Sequence, residues 1–181
     1  MILRKGDWMQ TATGHQFWPM DPHPEDVFIE DIAAALAKIC RFTGHCIRFY
    51  SVAEHCCWAA TLVPEELKLA ALLHDASEAY LADIIRPLKP YLSNYKEIEE
   101  RVEKAIAERF KVSWPWPAGI KRVDNAMLAA ERDQNMVLPP ADWHLPEPPA
   151  PIRLEYWSPF RAETEYLRAF LRYGGISGED S

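Results

Sequence analysis

The spacing of apolar residues divides the chain into helices joined by stiff, proline-bearing connections. Between residues 29 and 41, Ile29, Ile32, Ala33, Leu36, Ile39 and Cys40 recur at helical spacing. Glu30 and Asp31 fall in the first turn, where the helix dipole favours negative charge, so the pattern predicts a first core helix that ends near Gly44. The run Ser51-Val52-Ala53-Glu54 is a capping box; it starts the next helix at Ser51 and puts His55 in the first turn. Pro64 suits the first turn of a third helix, predicted to continue to about Tyr80. Over 95–110 the stripe is Ile98, Val102, Ala105 and Ile106, with Asn94 as cap and Glu97 with Arg101 and Glu100 with Lys104 as pairs four apart. A further helix over 119–137 has Ile120, Val123, Met127 and Leu128 as its stripe, and Ser158-Pro159 opens a last one to about Tyr173 with Phe160, Leu167, Phe170 and Leu171 inward.

The remainder is not helical. Residues 7–18 are β-prone on either side of Gly14 and predict a short hairpin, and Pro19, Pro22 and Pro24 make the chain irregular as far as residue 28. His15 and His23 lie in these stretches and are expected at the surface. The indoles of Trp114-Pro115-Trp116-Pro117 either cover the core or face a second copy. Residues 139–157 are proline-rich and predict an irregular strap; 174–181 are expected to be a disordered tail. The expected fold is therefore an all-α bundle of about five to seven helices with a possible short N-terminal β-hairpin, a single domain over 1–181.

Composition agrees: 181 residues, 49% hydrophobic and 26% charged, suffice to bury one sizeable core. No apolar run approaches membrane-spanning length and the first residues lack a signal-peptide pattern, so no membrane partner and a cytoplasmic location are expected. Cys40, Cys46, Cys56 and Cys57 have no Cys-x-x-Cys spacing, which points to buried free thiols rather than a thiolate metal site or a disulfide framework. The net charge of −7 argues against a nucleic-acid polymer as partner but not against a small anion held by local cations.

One stretch changes the picture. At 72–83 the chain reads Leu-Leu-His-Asp-Ala-Ser-Glu-Ala-Tyr-Leu-Ala-Asp, so that His74, Asp75, Glu78 and Asp83 directly follow an apolar helical run. Such a polar cluster is costly to bury unless it is satisfied, and a divalent cation would satisfy it. Each residue also has an ordinary reading. His55 is either a ligand or an interior histidine bonded to the backbone. Asp83, with Arg86 and Lys89 close behind it, either serves a substrate or forms a local ion pair. Asp124 falls inside an apolar stripe and needs a partner, which a metal, Arg122, Arg132 or a backbone donor could provide; Glu131 continues the same face, where it could hold a ligand in place. Arg41-Phe42 is either a phosphate clamp beside a stacking ring or a helix-end closure.

The spacing His55…His74-Asp75…Asp124 resembles the metal ligands of the HD-domain phosphohydrolases, all-helical metal-dependent enzymes. Glu78 and Asp83 stand where the 5′-deoxynucleotidase branch carries its acid/base carboxylates. The runs Cys-Arg-Phe-Thr-Gly-His at 40–45 and Phe-Tyr-Ser-Val-Ala-Glu-His at 49–55, with Arg86-Pro87-Leu88-Lys89, are similar to small phage- and prophage-encoded members of that branch. The resemblance covers roughly residues 7–135. It implies metal ligation by His55, His74, Asp75 and Asp124, catalysis by Glu78 and Asp83, and substrate binding by Arg41 and Phe42, the last replacing the tryptophan of related enzymes. It also implies a divalent metal ion (Mn, Co, Fe, Zn or Mg), a nucleotide substrate losing its 5′-phosphate, and a homodimer. Alternatives are triphosphohydrolysis at the same site, di-iron oxygen chemistry, or a non-catalytic nucleotide-binding module.

Overall fold

A computed structural model describes residues 4–176. It is all-α apart from one two-stranded antiparallel hairpin, β1 (Met9–Gln10) and β2 (Gln16–Phe17). The hairpin loop turns at Gly14, whose φ of +91° lies in the left-handed region that favours glycine. The helices are α1 (Ile29–Leu36), α2 (Val52–Thr61), α3 (Lys68–Leu73), α4 (Glu78–Leu81), α5 (Tyr95–Phe110), α6 (Ala118–Asn135) and α7 (Pro159–Arg172). Helix α2 is central: it packs on α3, α6 and α7, while α1 packs on α4 and α7. Their shared core contains Ile32, Leu36, Val52, Cys56, Leu72, Leu73, Ile106, Tyr166 and Phe170, all inaccessible to solvent.

The third predicted helix is interrupted where the chemistry lies. Residues 74–77 keep helical dihedrals at His74 and Ser77, but the hydrogen bonds tighten from four residues to three, as in Ala76 N–H to Leu73 O and Glu78 N–H to Asp75 O. The carbonyls freed at the end of α3 find side-chain donors. His74 Nδ1 donates to Ala71 O at 2.7 Å, and the Tyr166 hydroxyl, arriving from α7, donates to Leu72 O at 2.8 Å.

Four other details differ from expectation. Helix α1 ends at Leu36, short of residue 41, and chain-reversing turns follow. On α7 the inward face is Ala162, Tyr166 and Phe170, whereas Phe160 and Leu171 are exposed. The pairs formed on α5 are Lys96 with Glu100 and Lys104 with Glu108. Of the tail expected to be disordered, Gly174 and Gly175 instead close α7: their N–H groups donate to Leu171 O and Phe170 O, and a Cβ on Gly175 would stand 2.4 Å from the Phe170 ring. Residues 177–181 lie outside the described ones. Trp114 donates to Glu103 on α5, and Trp116 packs against the core.

The strap is irregular as expected, and a buried acid fastens it. Ser51 caps α2, accepting from Glu54 N–H at 3.1 Å, but the Glu54 side chain does not close the capping box. It points away and accepts the backbone N–H groups of Glu155, Tyr156 and Trp157, at 2.9, 3.0 and 2.6 Å, and Trp58 Nε1–H at 3.4 Å. Three strap amides therefore depend on one carboxylate. In Glu54→Gln the amide nitrogen would oppose one of these donors, so losing a charge-assisted bond and stranding an N–H should cost about 2–4 kcal/mol, read from urea unfolding.

Candidate metal centre

Three elements converge on one spot. Ser51 pins the start of α2 and with it His55, which is inaccessible to solvent. The tightened turn after α3 presents His74 and Asp75, and α6 crosses α2 with Asp124 and Glu131 two helical turns apart on one face. Glu131, fully buried, accepts from His55 Nδ1 at 2.6 Å and from Arg41 at 3.0 Å. Burial pushes the Glu131 pKa up, but Arg41 and then His55 more than offset this and leave it below the usual carboxylate value. An ionised Glu131 can only accept, so the His55 proton is on Nδ1. His74 likewise commits Nδ1–H to Ala71 O.

Both rings therefore turn Nε2 toward the same space. The two Nε2 atoms are 3.4 Å apart, and Asp75 Oδ2 lies 3.5 Å from that of His55 and 3.2 Å from that of His74. One ligand atom from each of His55, His74 and Asp75 lies within 4.8 Å of the others, and the group can hold a metal ion. Two imidazole lone pairs facing each other beside a carboxylate repel unless a cation or a proton stands between them, and Glu131 supplies the outer carboxylate that metal-binding histidines commonly have. The donor set thus fits a divalent metal. Asp124 lies outside this tight group but adjoins it, with Oδ1 3.6 Å from His55 Nε2 and Oδ2 2.7 Å from Lys121 Nζ.

Without metal, the proton takes its place. Burial opposes charge on His74, but Asp75 and to a lesser degree Cys56 outweigh it and hold the imidazolium well above its ordinary pKa. Burial likewise opposes charge on Asp75, but His74 first and then His55 and Arg41 keep its pKa far below the usual range. The raised His74 value means that in metal-free protein this interaction stabilises the fold fully below pH ~6.5 and is lost as pH rises through the folded value. A metal must displace the same proton. Its affinity should therefore rise with pH, by up to roughly tenfold per unit below the raised His74 value, measured by competition with a chelator.

The centre opens into a cleft of about 690 Å³ that all the remaining predicted site residues line: Arg41, Phe42, Glu78, Asp83 and Asp124. Glu78 is 5% exposed, and its Oε2 has no hydrogen-bond partner among the described residues. Burial first, then repulsion by Asp75 and Asp83, raises its pKa well above the ordinary value, and burial also raises that of Asp83 against the pull of Arg41. Arg41 lines the cleft and is anchored by a carboxylate of α6. Two of its nitrogens bind Glu131 at 3.3 and 3.0 Å, while NH1 faces Asp75 at 3.7 Å on the cleft side. Phe42 and Thr43 adopt φ of +57° and +54°, a conformation that costs non-glycine residues about 1–3 kcal/mol each and here swings the Phe42 ring beside Trp143 of the strap, 6.2 Å between centroids. The cleft-lining Trp143, Leu145 and Lys121 were not predicted; only Lys121, three residues before Asp124 on a helix, had a periodic signal.

Fold and site together define an all-α protein with a candidate metal centre at the base of a cleft. No helix among the described residues is long and apolar enough to cross a membrane. The chain belongs to the family of the uncharacterized protein YfdR of Escherichia coli (strain K12), with which it shares 42% identity over 125 residues, covering 69% of this chain and 70% of the relative. An uncharacterized protein of Rhodobacter capsulatus is 38% identical over 132 residues, covering 67% of each chain. No family model matches the sequence.

Proposed function

We propose that the protein is an HD-type, metal-dependent phosphohydrolase that removes the 5′-phosphate from deoxyribonucleoside monophosphates. The observation that carries this reading is the convergence of two tautomer-locked Nε2 atoms and Asp75 Oδ2 at the base of a cleft that also presents Arg41 and two carboxyl groups of raised pKa. His55, His74, Asp75 and Asp124 would hold the metal, and imidazole with carboxylate suits Mn, Fe, Co or Zn. A bound divalent metal lowers the pKa of its water to about 7, which supplies hydroxide at neutral pH. Glu78 exchanges a proton at its unpartnered Oε2 next to the attacking water, and Asp83 donates one to the departing 5′-oxygen. Arg41 NH1 orients the phosphate while Glu131 holds the rest of the guanidinium still.

A second reading is favoured by cations beyond the one a single phosphate requires: Arg86, Lys89 and Lys121 line the same cleft. They would suit removal of triphosphate from a deoxynucleoside triphosphate. Product analysis on protein restored with Mn or Co separates the two. The first reading expects free phosphate from dAMP, with the rate on AMP reporting how far Phe42 enforces the deoxy sugar. Deoxyadenosine and triphosphate from dATP, with dAMP untouched, would establish the second.

A further inference from the structure

A second cleft, of about 610 Å³ and sharing no lining residue with the first, is lined by three arginines from three segments: Arg48 from the loop before α2, Arg153 from the strap and Arg161 from the first turn of α7. In a chain of net charge −7 this grouping opposes the overall balance. Among the described residues, Arg48 and Arg153 have no carboxylate within 4.0 Å; Arg161 pairs with Glu155 and lies over the Trp157 ring. Three guanidinium groups against one carboxylate leave the cleft with two positive charges unmatched.

The backbone under these side chains is held in place. The Asn135 side chain accepts from Arg48 N–H and donates to Arg48 O, both at 2.9 Å. Gln134 next to it donates to Ile152 O and accepts from Leu154 N–H, both at 3.1 Å, bracketing Arg153. Arg48 also stacks on the Tyr156 ring at 4.0 Å, and the Tyr156 hydroxyl donates to Gln134 O. Stacking fixes the plane of a guanidinium while leaving its N–H edge free to bind.

We infer that this cleft is a second anion-binding site, separate from the candidate metal centre, for a ligand carrying linked phosphates. Free guanidinium edges match phosphate oxygens in paired hydrogen bonds, and the cleft is larger than a single phosphate needs. Tyr156, its one aromatic wall, is already covered by Arg48, so recognition rests on the phosphates and not on a ring. The net negative charge of the chain disfavours a long polyanion, which leaves a short phosphate chain as the class.

The test is calorimetric titration of the full chain, as purified, with inorganic tripolyphosphate at constant ionic strength. Arg48→Gln/Arg153→Gln should bind at least tenfold more weakly, whereas Arg168→Gln, on α7 away from both clefts, should bind as wild type does. Should the double variant fail to fold, Arg153→Gln alone, at an exposed position, should lose at least threefold. Wild-type affinity in the arginine variants, an equal loss in Arg168→Gln, or equal affinity for citrate would each overturn the assignment. None of these readouts depends on hydrolysis, so the inference can fail or stand independently of the proposed activity.

Discussion

Asp75→Ala protein should emerge from purification without its divalent metal and hydrolyse nucleotide at a rate at least roughly a thousandfold below wild type. The size of the effect follows from the position of Asp75 Oδ2, a carboxylate oxygen within 3.5 Å of both inward-facing imidazole nitrogens. Without it the two Nε2 lone pairs remain 3.4 Å apart with no anion of the tight group to offset a cation. Elemental analysis reads the metal and the dAMP assay reads the rate. Two side effects separate loss of the site from loss of the fold. Repulsion by Asp75 contributes to the raised pKa of Glu78, so that value should fall in the variant, and His74 loses the charge that holds its own pKa up. A folded Asp75→Ala protein that kept both metal and activity would remove the metal assignment and the proposed chemistry with it.

The site was more legible in the sequence than the connections that support it. Asp124 and Glu131 announced themselves as carboxylates seven apart on an otherwise apolar face, a pattern that a buried helix carries only if something satisfies it. Ser51 was equally plain, since a cap acts on residues three positions away. What could not be read depends on distant partners. The tightening at residues 74–77 leaves helical dihedrals at His74 and Ser77 and changes the hydrogen-bond partners, one of which, Tyr166, is 94 residues from Leu72. Glu54 looked like the acid of a capping box because its spacing was right, yet three amides over a hundred residues further on outcompete a single local N–H. Half of the inward face of α7 was misread for a related reason, Leu167 and Phe170 packing on the core as expected. Phe160 and Leu171 are apolar enough to belong to a stripe, but the contact with α1, α2 and α3 selects Ala162, Tyr166 and Phe170, one turn apart each.

Glu131 gives the second large effect, and it is the residue that joins His55 of the candidate metal centre to Arg41 of the cleft. In Glu131→Ala, Arg41 stays buried with Asp75, 3.7 Å away, as the nearest counter-charge among the described residues, and His55 Nδ1–H loses its acceptor. Breaking a buried charge pair in this way should cost about 3–5 kcal/mol. For a chain of this size that lowers the unfolding temperature by about 10 °C or more, measurable by calorimetry. Glu131→Gln keeps the volume and isolates the other role. Its amide can accept from either His55 or Arg41, but it presents an N–H₂ to the one it does not serve. The His55 tautomer is then no longer fixed by a carboxylate, so metal affinity should fall by about 10–100-fold even in a well-folded protein. Chelator competition on the two variants therefore separates the contributions of Glu131. Weakened metal binding in a stable Glu131→Gln would show that the buried acid orients His55, whereas unchanged affinity would reduce Glu131 to a counter-ion for Arg41.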